Sequence, residues 1–272
     1  MQTLLEVKDL SLSASRTGKL LVDNLSFSIL PRQIVGIAGL SAAGKTVSTL
    51  ALFRLLPDTV RVVGGSVRLL SGSASREVFA LNEQELASIR GKSISYIFQE
   101  PRKSLNPVIK VGTQIDEIFV CHHSATDRAA RQKTMQLLSK VGFSHPERVY
   151  HCYPHQLSGG ECQRIVIASA VALQPVLIIA DEPTASLDVT TETLIVELLL
   201  ERTREAGAAL IFITHNMYLL SKIAQKIVFL AQGRKIHEQA HVPGQPLVIN
   251  GTDPSLQEML ASIPAFGKKI EI

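Results

Sequence analysis

Residues 39–46, Gly-Leu-Ser-Ala-Ala-Gly-Lys-Thr, fit the pattern G-x-x-x-x-G-K-[ST]. They lie between an apolar stretch, 33–38, and a stretch of helical spacing from Thr46 to about Leu56. A strand that runs into a glycine-bounded loop and then a helix is the opening of an α/β sheet, and few other folds can use it. The backbone N–H groups of such a loop wrap phosphates. Lys45 reaches the outer phosphates and the Thr46 hydroxyl can ligate Mg²⁺, so Gly39, Leu40, Ser41, Ala42, Ala43, Gly44, Lys45 and Thr46 form a candidate nucleotide site. Residues 176–180 and 209–213 are continuous apolar runs, as expected of parallel strands covered on both faces, and 190–206 reads as the crossover helix between them.

The remaining chain is read around this core. Residues 3–30 suggest strands, with Leu4 to Val7 and Leu25 to Ile29 separated by a turn at 15–18. From about 85 to 155 the chain becomes polar and helical, most clearly over 128–141, as in an inserted helical subdomain. The tail from about Val242 reads as loop followed by a short last helix. Hydrophobic residues make up 46% of the 272 and charged residues 19%, a composition that excludes extended disorder. The net charge of +4 comes from scattered Lys and Arg with no basic stripe, so nucleic acid is not an expected partner. Three cysteines without metal-site spacing fit a reducing compartment. No apolar run reaches the roughly 20 residues that span a bilayer, and the first residues carry charge where a signal peptide is apolar, so membrane association is expected to run through other proteins.

A second pair of polar residues completes the phosphate chemistry. Asp181 and Glu182 end an apolar strand at its carboxyl edge, where α/β sheets place ligands. Asp181 is expected to hold Mg²⁺ through water. Glu182 is placed to polarise the attacking water. Leu157-Ser158-Gly159-Gly160-Glu161 then begins another helix. This segment resembles the LSGGQ signature of ABC ATPases, and with it the whole set of motifs is similar to that family. The resemblance implies a P-loop NTPase core with a central mostly parallel sheet, an N-terminal antiparallel β subdomain and an inserted helical subdomain. It implies ATP and Mg²⁺ as ligands, and a dimer in which Ser158, Gly159 and Gly160 close over ATP held by the other subunit. It further implies that Gln99 contacts Mg²⁺ and senses the membrane subunits, that Asp188, after Ser186 and Leu187, lies at the dimer seam, and that His215 contacts the γ-phosphate. Catalysis is thus expected from Glu182, His215 and Lys45, and Mg²⁺ coordination from Thr46, Gln99 and Asp181.

Residues 99–107 with 111–115, the stretch Tyr153-Pro154-His155-Gln156, and Ala180 to Thr184 resemble the dipeptide, oligopeptide and nickel importer branch, with a fainter echo at 260–264. The implied protein is the ATP-hydrolysing subunit of an importer of nickel, another metal chelate or short peptides. It would lie on the cytoplasmic face of the membrane with two permease subunits, a second ATPase, favoured as a related chain over an identical copy, and indirectly a substrate-binding protein. A lean toward nickel rests on the short C-terminus and the absence of any Cys after Cys162. An ABC ATPase domain is expected over 1–240, with its helical subdomain at about 90–165 and a short extension at 241–272. Three departures stand out, one being that no Cys follows Cys162, so no iron–sulfur centre is expected. Ala14 or a neighbouring Ser occupies the place of an adenine-stacking aromatic, and Ala42 and Ala43 replace the smaller or polar residues common in the loop. The alternatives are a soluble ABC ATPase acting on nucleic acid or ribosomes, against which the lack of a coiled-coil insertion speaks, and a nucleotide-sensing partner subunit, against which Lys45, Glu182 and His215 speak. Cys121, His122 and His123, with His151, Cys152 and His155, match no familiar zinc spacing and are expected to be surface and packing residues.

Overall fold

The computed structural model of the chain describes residues 3–71, 74–185 and 187–247, with 249, 254, 256 and 257. Ser186, the 260–264 segment and most of the expected last helix lie outside the described residues. In chain order the elements are β1 (Leu5–Ala14), β2 (Leu20–Ile29), β3 (Ile34–Ala38), α1 (Lys45–Ala51), β4 (Val60–Ser71), β5 (Ala74–Glu77), α2 (Glu83–Ile89), β6 (Ile94–Ile97), α3 (Val111–Cys121), α4 (Asp127–Lys140) and α5 (Pro146–Tyr150). They continue with α6 (Gly159–Val171), β7 (Leu177–Asp181), α7 (Val189–Glu205), β8 (Ala209–Ile213), α8 (Met217–Ile223), β9 (Lys226–Ala231) and β10 (Arg234–Ala240). Two compact units result, Met1–Leu86 with Ala209–Ile272, and Ala87–Ala208.

The first unit holds two sheets. One is antiparallel, in the order β2-β1-β4-β5, and buries Leu5, Val7, Leu10 and Leu12 of β1. The other runs β10-β9-β3-β8, with β3 parallel to both β8 and β9 and β10 as its antiparallel edge. Every residue of β8 is buried, which is why that segment reads as an unbroken apolar run. Helix α8 packs so close to β3 that a Cβ on Gly36 would sit 2.8 Å from Leu220 Cδ2. The second unit pairs β6 with β7 in parallel and holds α3 to α7; α6 packs on β6, and α3 and α4 pack on each other and on α6.

The helix expected from Thr46 to Leu56 is shorter. Its path closes with the Arg54 N–H bonded to the Ala51 carbonyl at 3.0 Å and the Leu55 N–H to the Leu50 carbonyl at 3.0 Å, with Arg54 left-handed at φ 51. That is a Schellman closure using Arg where Gly is usual, followed by Pro57. The turn at 15–18 and the strands flanking it form as expected, although both strands run longer than the apolar patches that announced them.

Candidate functional site

In the first unit, the parallel register Ile37↔Ile213 brings the loop after β3 and the loop after β8 out at the same edge of the sheet. The first of these is the phosphate loop 39–46, and the second carries His215. The loop's shape follows from its small residues. A Cβ on Gly39 would lie 2.5 Å from the Leu230 carbonyl oxygen. Gly44 is left-handed at φ +94, and a Cβ there would meet the Leu21 carbonyl oxygen at 3.1 Å. The Gly233 N–H, in the β9–β10 turn, donates to the Ala43 carbonyl at 3.1 Å and buttresses the loop from below. The buried Lys45 ammonium donates to the Gly39 carbonyl at 2.7 Å and the Leu40 carbonyl at 3.0 Å, so the loop is curled around a positive charge. Thr46 is exposed at the start of α1. His215 is exposed between Thr214, whose hydroxyl accepts from the Asn216 N–H at 3.0 Å, and the Asn216 cap of α8.

In the second unit, the register Ile97↔Ala180 delivers Gln99, after β6, and Asp181 with Glu182, at the end of β7, to one edge. Asp181 is buried, and the Tyr96 hydroxyl donates to its Oδ2 at 3.0 Å. Tyr96 escaped the sequence reading because an aromatic inside a short apolar strand looks like core. Glu182 is left-handed at φ 43, a conformation that costs a non-glycine residue energy and tends to persist at functional sites. The chain beyond it is tied down: the Ala185 N–H donates to the Glu182 carbonyl at 3.0 Å, and the Thr184 hydroxyl to Glu192 Oε1 at 2.9 Å. Gln99 is exposed.

The signature segment lies in this same unit. Ser158 caps α6: its hydroxyl accepts from the Glu161 N–H at 3.2 Å, while Glu161 Oε2 accepts from the Ser158 N–H at 2.8 Å. This is a capping box, and it explains how Glu161 serves where the resemblance has Gln. A Cβ on Gly160 would lie 2.9 Å from Thr191 Cγ2, and one on Gly159 3.8 Å from Leu187 Cδ2, so the two glycines let α6 start against the beginning of α7. Asp188, expected at a dimer seam, is the N-cap of α7 and accepts from the Thr191 N–H at 3.0 Å and its hydroxyl at 2.7 Å. Those bonds to Thr191 hold its carboxyl below the usual aspartate range.

The chemistry fits a magnesium nucleotide. In the first unit a glycine loop closed round a lysine suits phosphate and the Thr46 hydroxyl is a hard oxygen donor of the kind Mg²⁺ takes; in the second, the Asp181 carboxylate is a donor of the same kind. Among the described residues no group of three or more His, Cys, Asp and Glu is arranged to hold another metal ion.

The ABC transporter family model matches residues 22–185. The chain belongs to the ABC transporter ATPase family. This ABC ATPase is 36% identical over 267 residues to the dipeptide transport ATP-binding protein DppD of Haemophilus influenzae, covering 97% of this chain and 79% of that one. It is 34% identical over 274 residues to the oligopeptide transport ATP-binding protein AppD of Bacillus subtilis, covering 100% and 81%. A peptidoglycan transport ATP-binding protein of Agrobacterium fabrum is 39% identical over 235 residues, and this ABC ATPase spans 42% of its length. The solved dimeric structure of an ATP-binding cassette bound to ADP and Pi, 24% identical, superposes with a TM-score of 0.74 over 87% of this chain and 98% of that one, which shows the shared fold. No helix among the described residues is long and apolar enough to cross a membrane.

Proposed function

We propose that this chain is the ATP-binding and ATP-hydrolysing subunit of an importer of dipeptides or oligopeptides. The observation that carries the cargo class is similarity to dipeptide and oligopeptide transport ATP-binding proteins over about four-fifths of their length, 79% and 81%. It turns the reading away from nickel, which rested on the chain's C-terminus and cysteine content alone. The expected partners are two permeases, a second and different ATPase, and a substrate-binding protein acting through the permeases, with the chain peripheral on the cytoplasmic face.

In this reading the backbone of 39–44 and Lys45 hold the phosphates, Thr46 and Asp181 hold Mg²⁺ with Gln99 as a further contact, and Tyr96 orients the Asp181 carboxylate. When bound, the magnesium nucleotide supplies the phosphoanhydride to be cleaved and a charge clamp on its outer oxygens. Glu182 orients water and takes its proton, held by the strained backbone that aims it. His215 supports the γ-phosphate. Ser158, Gly159 and Gly160 serve nucleotide bound by the partner ATPase, beside the seam residue Asp188.

Uptake of labelled dipeptide and labelled nickel by cells carrying Glu182→Gln at the native locus tests this. Dipeptide uptake is expected to fall about 100-fold, in line with loss of a general base, while ATP binding persists. Selective loss of nickel uptake overturns the cargo class, and full uptake of both overturns the importer.

A further inference from the structure

The peptide joining Leu157 to Ser158, at the mouth of the signature, is held from both sides. Its N–H donates to Glu161 Oε2 at 2.8 Å, closing the capping box. Its carbonyl, on Leu157, accepts from Arg102 Nη2 at 2.8 Å. Arg102 lies three residues beyond Gln99, in a loop that is itself braced. Lys103 Nζ bonds Glu100 Oε1 at 2.7 Å, the Ser104 hydroxyl bonds the Glu100 carbonyl at 3.0 Å, and the Gln114 amide bonds the Asn106 and Ile109 carbonyls at 3.0 and 2.8 Å. The loop is thus bonded to itself at several points, and the Arg102 guanidinium carries a bond from it to the signature. The same guanidinium faces the Cys162 thiol in the first turn of α6; burial pushes that thiol up and Arg102 holds it back.

Arg102 is poorly placed to stabilise α6 as a helix. A cation near a helix N-terminus opposes the macrodipole. What the guanidinium does is fix a carbonyl that α6 itself cannot use, since Leu157 precedes the cap. Turning the 157–158 peptide would break the Arg102 bond and the Glu161 bond together, and would swing the Ser158 side chain with them.

We propose that Arg102 is a positioning residue for the signature: with Glu161 it clamps the Leu157–Ser158 peptide, so that the loop carrying Gln99 sets the orientation in which Ser158 meets nucleotide. The proposal rests on the reading that Ser158 to Gly160 close over ATP held by the partner ATPase. Arg102 thereby converts displacement of the Gln99 loop into closure or release at the signature.

The test uses the assembled transporter with Glu182→Gln in this chain, measuring the ATP concentration that holds the two ATPases closed. The ATP affinity of the full chain alone is measured beside it. Arg102→Met is expected to raise the closing concentration about tenfold, the factor carried by one charged hydrogen bond, and to leave the affinity of the chain alone unchanged. Arg102→Lys, which can still donate, recovers most of the loss. Glu161→Ala approaches the same peptide from its other side, and the double variant Arg102→Met with Glu161→Ala is expected to be no worse than the poorer single. An unchanged closing concentration in Arg102→Met, or losses that multiply in the double variant, overturns the clamp. If Glu182→Gln with Arg102 intact shows no ATP-dependent closure, the underlying reading of the signature fails instead, a result separate from any effect of Arg102.

Discussion

Ala42 stands at φ 63, inside the phosphate loop, where an L-residue with a Cβ is strained. Its presence was visible in the sequence as a departure from the family's usual residues; that it sits in the left-handed region was not. The backbone there is set by what surrounds it, with Ala43 buried, its carbonyl bonded by Gly233, and Lys45 drawing the Gly39 and Leu40 carbonyls inward. Glycine at this position adopts the same conformation without the Cβ clash, and its greater freedom in the unfolded chain offsets part of the relief. Ala42→Gly is therefore expected to stabilise the protein by about 0.5–1 kcal/mol, read as a higher denaturant midpoint with an unchanged slope. A lower midpoint would mean that the loop is not held in this conformation in solution.

At the scale of elements, the start of α6 against the start of α7 gives two predictions. Gly160→Ala places a methyl group against Thr191 Cγ2, and Thr191 cannot simply rotate away because its hydroxyl is bonded to Asp188. A loss of about 1–3 kcal/mol is expected, as for overpacking, measured by denaturant unfolding. Thr191→Ser removes that methyl and keeps the hydroxyl, so Gly160→Ala with Thr191→Ser should recover most of the loss. If it does not, the glycine is needed for something other than this contact. Asp188 supplies the second prediction. Its carboxyl is held low chiefly by the Thr191 hydroxyl and amide, so its contribution to the α7 cap is present above the unfolded-state value and lost as pH falls through the lower folded-state value. An NMR titration of the Thr191 amide should report that low midpoint, and Thr191→Val should move it up toward an ordinary aspartate. An unmoved midpoint would assign the shift to another cause.

These elements also show what the sequence could and could not disclose. The parallel strands β7 and β8 were legible because both their faces are buried and nothing interrupts the apolar run. The long strand β4 drew no strand assignment: Gly64 and Gly65 in its middle lack the side chains that mark a strand, and the structure carries it through them with a register shift opposite β1. The edge hairpin β9–β10 hid its turn in Gln232 and Gly233, both at positive φ, a weaker signal than Asn-Gly. The candidate site was legible wherever a motif fixes residue type and order, as at 39–46 and 157–161. Tyr96 and Arg102 act through contacts between segments distant in sequence, 85 and 55 residues apart, and no spacing rule finds those.

At the scale of the whole molecule, the question is whether the partner ATPase is a second copy. In a nucleotide sandwich each site joins the phosphate loop of one subunit to the signature of the other, so a change confined to one loop disables one site per altered chain. Lys45→Ala removes the charge around which this chain's loop is curled and leaves its own Ser158, Gly159 and Gly160 in place. If the partner is a different chain, the assembled transporter carrying Lys45→Ala keeps the site built from the partner's loop and this chain's signature, and should retain about half the nucleotide bound by the unaltered complex. If the partner is a second copy, both loops are lost and bound nucleotide falls to background. Retention of about half is the expected outcome, measured as nucleotide per complex after rapid separation under conditions that block hydrolysis. Adding Ser158→Ala and Gly160→Ala to Lys45→Ala should then weaken the remaining site, because in the heteromer that site depends on this chain's signature; if it does not, the signature is not shared across the seam.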